Sequence, residues 1–312
     1  MTDGDVWLPF PLPGPEPLPP SFRYHQWDGE ADFPADPARC VFYAVPYMKP
    51  AEVCLRPLPD MARLRVAQLL TAGYEHMLPG LALMPAGAVL CNAGGLHDTS
   101  TAELALALTL AALRDIPGAV RGQLEGRWAP AVRPSLADRR VLIVGYGGIG
   151  SAIEDRLVAF EPERVLRVAG SARSSPRGPV HASGKLPELL PEAEVVILCT
   201  PLTDATRGLA GKEFLARMRD GALLVNVSRG AVVDTGALLA EFETGRLRAA
   251  LDVTDPEPLP AGHPLWQAPG VLITPHVGGA SSAFRPRAER LLRSRLECLA
   301  RGEELPHVVG TG

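Results

Sequence analysis

Arg229, Glu257 and His276 are residues of this chain whose types could together hold an anion and move a proton. A guanidinium presents a planar fork that matches a carboxylate with two hydrogen bonds. An imidazole exchanges a proton near neutral pH. A carboxylate beside the imidazole favours its protonated form and fixes the ring. Taken singly, each has a plain reading: a histidine before two glycines is more often a loop residue, an arginine before a turn a solvated charge, and a glutamate between prolines a surface carboxylate. Position changes that weighting. Each residue lies just past an apolar run that reads as a strand, at 223–227, 249–253 and 271–274. Open α/β sheets bind ligands beyond the carboxyl ends of their strands. The set suits reduction of a 2-oxo acid, which needs a cation for the carboxylate, a proton for the carbonyl oxygen and a hydride.

A source of hydride is implied by Gly145-Tyr146-Gly147-Gly148-Ile149-Gly150, which fits G-x-G-x-x-G. With 31 glycines in 312 residues the pattern alone is weak. Here it follows the apolar run 141–144 and opens a helix, which is the context a dinucleotide fingerprint requires. The first glycine permits the turn, the second lets the pyrophosphate approach, and the third lets helix pack on strand. NAD sites place a carboxylate about twenty residues further on, for the ribose 2′-hydroxyl. No carboxylate occurs from Arg164 to Arg177. Arg173 could instead neutralise a 2′-phosphate, with Ser171 and Ser174 donating hydrogen bonds. NADP is therefore the expected cofactor, and NAD bound without its acidic partner is the alternative.

These residues need a frame. Short β-like runs at 6–8, 22–27, 40–45, 66–70 and 89–91 suggest a small open α/β domain, with a loop in the Pro-dense stretch 9–20. Ser100-Thr101-Ala102-Glu103 matches a capping box. The run 104–113 reads as a buried helix, and 114–137 as a helix end followed by a polar, proline-broken excursion. From 140 onward, continuous apolar runs (141–144, 165–169, 195–200, 223–227, 249–253 and 271–274) alternate with helical intervals, including 151–160, 211–218 and 236–244. Such runs mark parallel strands covered on both faces. The fold class is α/β with doubly wound parallel sheets. A last amphipathic helix, about 286–300, is expected to fold back onto the first domain.

Four segments fit together with the glycine-rich turn: Asn92-Ala-Gly-Gly-Leu-His-Asp, Leu224 to Asp234, Leu251 to Pro260, and Ile273 to Gly279. They resemble the D-isomer-specific 2-hydroxyacid dehydrogenase family over about 68–279. The resemblance implies an NAD(P)-dependent enzyme interconverting 2-oxo and D-2-hydroxy acids, of the glyoxylate or hydroxypyruvate reductase kind. Arg229, Glu257 and His276 then match the family's catalytic set, with Arg229 and His276 touching substrate. By the same resemblance, backbone amides at Ala72 and Gly73 hold the substrate carboxylate, and Thr200, Pro201, Thr206, Val227, Asp252 and Gly278 line the cofactor. It also implies two domains, a substrate domain of 1–98 and 281–312 with a flavodoxin-like sheet, and an inserted Rossmann dinucleotide-binding domain of 99–280. The segment before Leu251 is a residue shorter than usual, so the choice of Glu257 over Asp255 rests on aligning the Pro-Glu-Pro residues.

Composition narrows the field. The chain is 46% hydrophobic and 21% charged with a formal net charge of −4, which gives no reason to expect nucleic acid or an anionic membrane as partner. The opening Met1-Thr2-Asp3-Gly4-Asp5 is acidic, unlike a secretory leader, and the scattered five cysteines suggest neither disulfides nor zinc. A cytoplasmic location and no metal are expected. A homodimer is expected through residues 100–137, because the 104–113 helix is apolar all round; burial within one subunit is the other possibility. Competing functions are phosphite or formate oxidation on the same fold, and a non-catalytic NAD(H) sensor. Glu257 disfavours formate, since that branch carries a neutral glutamine there.

Overall fold

Most strands of the first hundred residues bury both faces, the half-exposed strand at 22–26 excepted, and their side chains divide accordingly. Strands β1 (Gly4–Leu8), β2 (Phe22–Gln26), β3 (Cys40–Ala44), β4 (Val66–Gln68) and β5 (Val89–Cys91) pair in parallel. Val6 and Leu8 enter one apolar cluster while Trp7 enters the other; Phe42 and Tyr43 divide the same way. Strand β14 (Val308–Thr311) adds antiparallel to β5, giving the order β14-β5-β4-β3-β1-β2. The five parallel strands follow the 2-1-3-4-5 order of flavodoxin-like sheets. Helix α1 (Ala51–Leu55) is short. Helix α8 (Phe284–Arg301) lays Ala288, Leu292, Leu296 and Leu299, one helical stripe, into the cluster of Val6 and Leu8. It stops at Gly302, whose φ of 66° suits glycine.

The computed structural model describes residues 4–312; the acidic opening Met1-Thr2-Asp3 lies outside them. The chain forms two units, one made of the residues up to His97 together with Ser282–Gly312, the other Asp98–Ser281.

In the second unit, parallel strands β6 (Arg140–Val144), β7 (Arg164–Ala169), β9 (Gly178–Ala182), β10 (Val195–Leu198), β11 (Leu223–Asn226), β12 (Arg248–Leu251) and β13 (Val271–Ile273) are joined by a short antiparallel β8 (Arg173–Ser175). The order is β13-β12-β11-β10-β6-β7-β9-β8. The strand order reverses between β6 and β10, which is where such sheets bind dinucleotides. Along β6, Val141 and Ile143 pack on one side and Leu142 and Val144 on the other, all buried. Helices α2 (Asp98–Arg114), α3 (Ile116–Leu124), α4 (Gly148–Leu157), α5 (Leu186–Leu189), α6 (Lys212–Arg217) and α7 (Thr235–Glu243) complete the unit.

Two local expectations fail, and some strands went unread, for physical reasons. The capping box does not form: α2 starts at Asp98, and the Ser100 hydroxyl, inside the helix, pairs with the Ser281 hydroxyl at 2.7 Å. Asp98 suits the first turn because its charge favours a helix N-terminus. The excursion after residue 114 contains α3, since Pro117 falls in the first turn, where proline fits, and Asp115 caps Gly118 N at 3.2 Å. The polar edge strand β8 and the half-exposed β14 offered no apolar run to read.

Candidate active site

The glycine-rich turn leaves β6 at the strand-order reversal. Gly145 has φ 105°, and a Cβ there would lie 2.5 Å from the amide nitrogen of Thr200. That contact places the turn flush against the loop after β10, which carries Thr200 and Pro201. A Cβ on Gly150 would sit 2.4 Å from the Gly145 carbonyl oxygen, so α4 can approach the strand end only with glycine. Gly147 is different: nothing lies within 4 Å of the position its Cβ would take. No side chain of the cap residue closes the start of α4. An open glycine ahead of an uncapped helix N-terminus fits a diphosphate. Gly148 is confined by the Asp98 carboxylate, 2.1 Å from where a Cβ would stand, and Ile149 packs into the core below.

Behind the turn is a buried ionic cluster. The Tyr146 hydroxyl donates to Glu154, 2% exposed, and Arg167 grips the same carboxylate through Nε at 2.7 Å and through Nη2. Burial, then Glu154, pushes the Tyr146 phenol up. Arg173 donates to the Tyr146 carbonyl, which fixes its guanidinium beside the glycine-rich turn. Ser171 is exposed on the same segment. Thr206 staples its own loop by donating to the Pro201 carbonyl at 2.6 Å and accepting from Thr203 N at 2.8 Å. Val227 is buried, its amide donating to the Leu198 carbonyl at 3.1 Å.

The ends of β11, β12 and β13 bring the catalytic candidates together. Asn226, fully buried at the end of β11, accepts from Ser228 N and Ser228 Oγ and donates to the Arg229 carbonyl at 3.0 Å. It shapes the turn that presents Arg229. Gly230 then passes so close that a Cβ would lie 1.8 Å from the Thr254 carbonyl oxygen, so the Arg229 turn abuts the loop carrying Glu257. Glu257 Oε1 meets His276 Nδ1 at 2.5 Å, and both side chains remain reachable, 39% and 45% exposed. The His276 hydrogen bond, then the His276 charge, the Thr254 amide and the Arg229 charge, outweigh burial and hold the Glu257 carboxyl below its usual range.

Asp252, 2% exposed, clamps the His276 loop from beneath. Its Oδ1 accepts from Thr274 Oγ1 at 2.6 Å and Val277 N at 2.9 Å, and its Oδ2 from Gly278 N at 2.8 Å. Sequence reasoning placed Asp252 near the cofactor and missed this clamp, and it gave Asn226 no role. A polar residue ending an otherwise apolar strand was the available signal for both.

In the first unit, Ala72 and Gly73 follow β4. The Ala72 carbonyl accepts from Asn92 Nδ2 at 2.8 Å, and Thr71 Oγ1 donates to the Gly73 carbonyl at 2.7 Å. Among the described residues, neither the Ala72 nor the Gly73 amide has a protein acceptor. Two open amides on a tied-down loop can bind an anion.

A doubly wound sheet with an open dinucleotide turn and an arginine, glutamate and histidine at successive strand ends describes a nicotinamide-dependent oxidoreductase. The profile of the "D-isomer specific 2-hydroxyacid dehydrogenase, NAD binding domain" matches residues 106–278. Glyoxylate reductase/hydroxypyruvate reductase of Homo sapiens is 34% identical over 253 residues, covering 78% of this chain and 76% of that protein. Glyoxylate reductase of Korarchaeum cryptofilum is 34% identical over 255 residues, covering 79% and 76%. Among solved structures, a D-isomer specific 2-hydroxyacid dehydrogenase of Xanthobacter autotrophicus, in complex with NADPH and MES, superposes with a TM-score of 0.80 at 26% identity, covering 99% of this chain and 98% of that one. The chain belongs to the D-isomer-specific 2-hydroxyacid dehydrogenase family, and is an NAD(P)-dependent oxidoreductase of 2-oxo and 2-hydroxy acids.

Proposed function

We propose that the chain reduces a small 2-oxo acid of the glyoxylate or hydroxypyruvate class to the D-2-hydroxy acid, with NADPH preferred. The observation that carries this reading is the 2.5 Å pairing of His276 with Glu257, next to the Arg229 turn. A bound reduced nicotinamide would supply the hydride. Arg229 pairs with the substrate carboxylate and polarises the carbonyl. His276 delivers the proton to the carbonyl oxygen through Nε2, because Nδ1 is held by Glu257. Glu257 keeps the ring oriented. The open amides of Ala72 and Gly73 hold carboxylate oxygens in the substrate domain, residues 1–98 and 281–312. Gly145, Gly147, Gly148, Ile149 and Gly150 would receive the diphosphate, and Arg173 with Ser171 the 2′-phosphate. Thr200, Pro201, Thr206, Val227, Asp252 and Gly278 line the remainder of the cofactor site in the dinucleotide domain, residues 99–280.

Arg173 supports the NADPH preference, since its guanidinium is anchored beside the turn with no acidic residue from Arg164 to Arg177. The glyoxylate reductases among the relatives support the substrate class, and the NADPH complex of the Xanthobacter protein accords with the cofactor reading. No helix among the described residues is long and apolar enough to cross a membrane, and we place the enzyme in the cytoplasm, acting as a homodimer on a free small acid. The reason for a dimer shifts from α2 to α3. Most of α2 is already covered, whereas Ile116, Val120 and Leu124 form an exposed stripe on α3, 50%, 50% and 83% exposed. Trp128 and Val132 beyond it are 95% and 100% exposed, and Trp128 lines a groove of about 970 Å³. A spectrophotometric panel of glyoxylate, hydroxypyruvate, pyruvate, phenylpyruvate and 2-oxoisocaproate, each with NADPH and NADH, tests the reading. Turnover confined to the bulky acids, or a higher kcat/KM with NADH, defeats it.

A further inference from the structure

Arg295 is 5% exposed on α8, and its side-chain hydrogen bond runs from Nε to Oε1 of the neutral Gln68 at 3.2 Å. Among the described residues it forms no salt bridge with any Asp or Glu. The ionisable groups that act on it are the thiols of Cys91 and Cys298, and burial works against its charge. Arginine nevertheless stays protonated in proteins. A buried cation without a counter-ion is costly, and the C-terminal half of a helix offsets only part of that cost.

The hydrogen bonds leading away from this charge end at the carboxylate loop of the first unit. Gln68, fully buried at the end of β4, donates from Nε2 to the carbonyls of Leu69 at 2.8 Å and Asn92 at 3.1 Å. Asn92 Nδ2 donates to the Ala72 carbonyl at 2.8 Å. In a trans peptide the C=O and the following N–H point in opposite directions. Drawing the Ala72 carbonyl toward Asn92 therefore turns the Gly73 N–H the other way, and neither it nor the Ala72 amide has a protein acceptor.

We propose that Arg295 is a positioning residue for the substrate carboxylate: its buried charge finds its counter-ion in the anionic acid held at the Ala72 and Gly73 amides, and the Gln68–Asn92 chain keeps those amides turned toward it. The proposal rests on that loop being the carboxylate site. A low-dielectric interior screens the attraction little, so it acts across the intervening residues. It does not touch the reacting carbonyl, so it acts on binding of the acid and not on the chemical step.

The test compares Arg295→Gln, which keeps an amide donor for Gln68 but no charge, with Arg295→Lys, which keeps the charge. Asn92→Leu, which frees the Ala72 carbonyl, reports on the loop itself. Steady-state kinetics are measured with glyoxylate and NADPH, alongside Tm. The expected result is a rise of about tenfold in the KM for glyoxylate in Arg295→Gln, with kcat and the KM for NADPH within about twofold of wild type, and recovery in Arg295→Lys. A rise in Asn92→Leu accompanied by an unchanged KM in Arg295→Gln removes Arg295 alone. Unchanged KM in both variants removes the loop as the carboxylate site and the proposal with it. A lowered Tm in Arg295→Gln with no change in KM makes the residue structural only.

Discussion

His276 has a left-handed backbone, φ 53°, in a loop whose hydroxyl and amides are gathered by the Asp252 carboxylate. Non-glycine residues adopt that conformation at a cost, and such strain concentrates at functional sites. His276→Ala keeps the strain and loses the proton donor. Its kcat for reduction is expected to fall roughly 10²–10⁴-fold with little change in Tm, which steady-state assays and a melting curve will check. Glu257→Gln removes the carboxylate that holds the ring, so the pH profile of reduction should change; an unchanged profile would deny the pair its role. The Glu257 carboxyl lies below its usual range, so it contributes stability above that range and loses it as pH falls through its own lowered value. The Tm gap between wild type and Glu257→Gln should accordingly close on acidification, and with both groups more than a third exposed it should be small at any pH. Arg173→Ala should raise the KM for NADPH far more than that for NADH. The types of Arg229, Glu257 and His276 suggested a chemistry in the sequence, and the structure brings Glu257 and His276 together. That Glu257 meets the ring was visible only in the structure, at 2.5 Å.

At the level of elements, most interior strands were legible because parallel strands buried on both faces leave unbroken apolar runs, as in Val141-Leu142-Ile143-Val144, whereas the interior β9, only partly buried, has no such run and was not read. Edge strands β8 and β14 were not, since solvent on one side permits polar residues. Helix starts misled for a related reason: Ser100 and Pro117 carry strong local signals, yet a neighbouring residue can seat the first turn equally well. The meeting of loops at Gly230 was also invisible, because a glycine in sequence does not declare what presses against it. Gly230→Ala would put a Cβ 1.8 Å from the Thr254 carbonyl oxygen. Backbone must then move, separating the Arg229 turn from the Glu257 loop. We expect kcat/KM to fall at least about 100-fold, the usual consequence of an ångström-scale misplacement of catalytic groups, while the enzyme stays folded by circular dichroism. Activity near wild type would show that the two loops tolerate separation.

At the scale of the molecule, Ile116, Val120 and Leu124 form an exposed apolar stripe and Trp128 is exposed beyond it, the kind of surface that marks protein–protein contact. A second copy covering it should give a dimer mass by light scattering at micromolar concentration. Val120→Glu with Leu124→Glu should shift that mass to monomer. A monomeric wild type would refute the dimer.

Because the core of the first unit needs α8, a sheet begun before the second unit is translated is completed after it. Val6, Leu8, Phe42 and Val66 share their cluster with Ala288, Leu292, Leu296 and Leu299. During synthesis they wait, with the free edge of β5 unpaired, while Asp98–Ser281 is translated, a delay of roughly 10–40 s at ordinary elongation rates. The contiguous segment can close its own core in that interval. A newborn chain thus carries a half-built sheet ahead of a finished one until α8 leaves the ribosome.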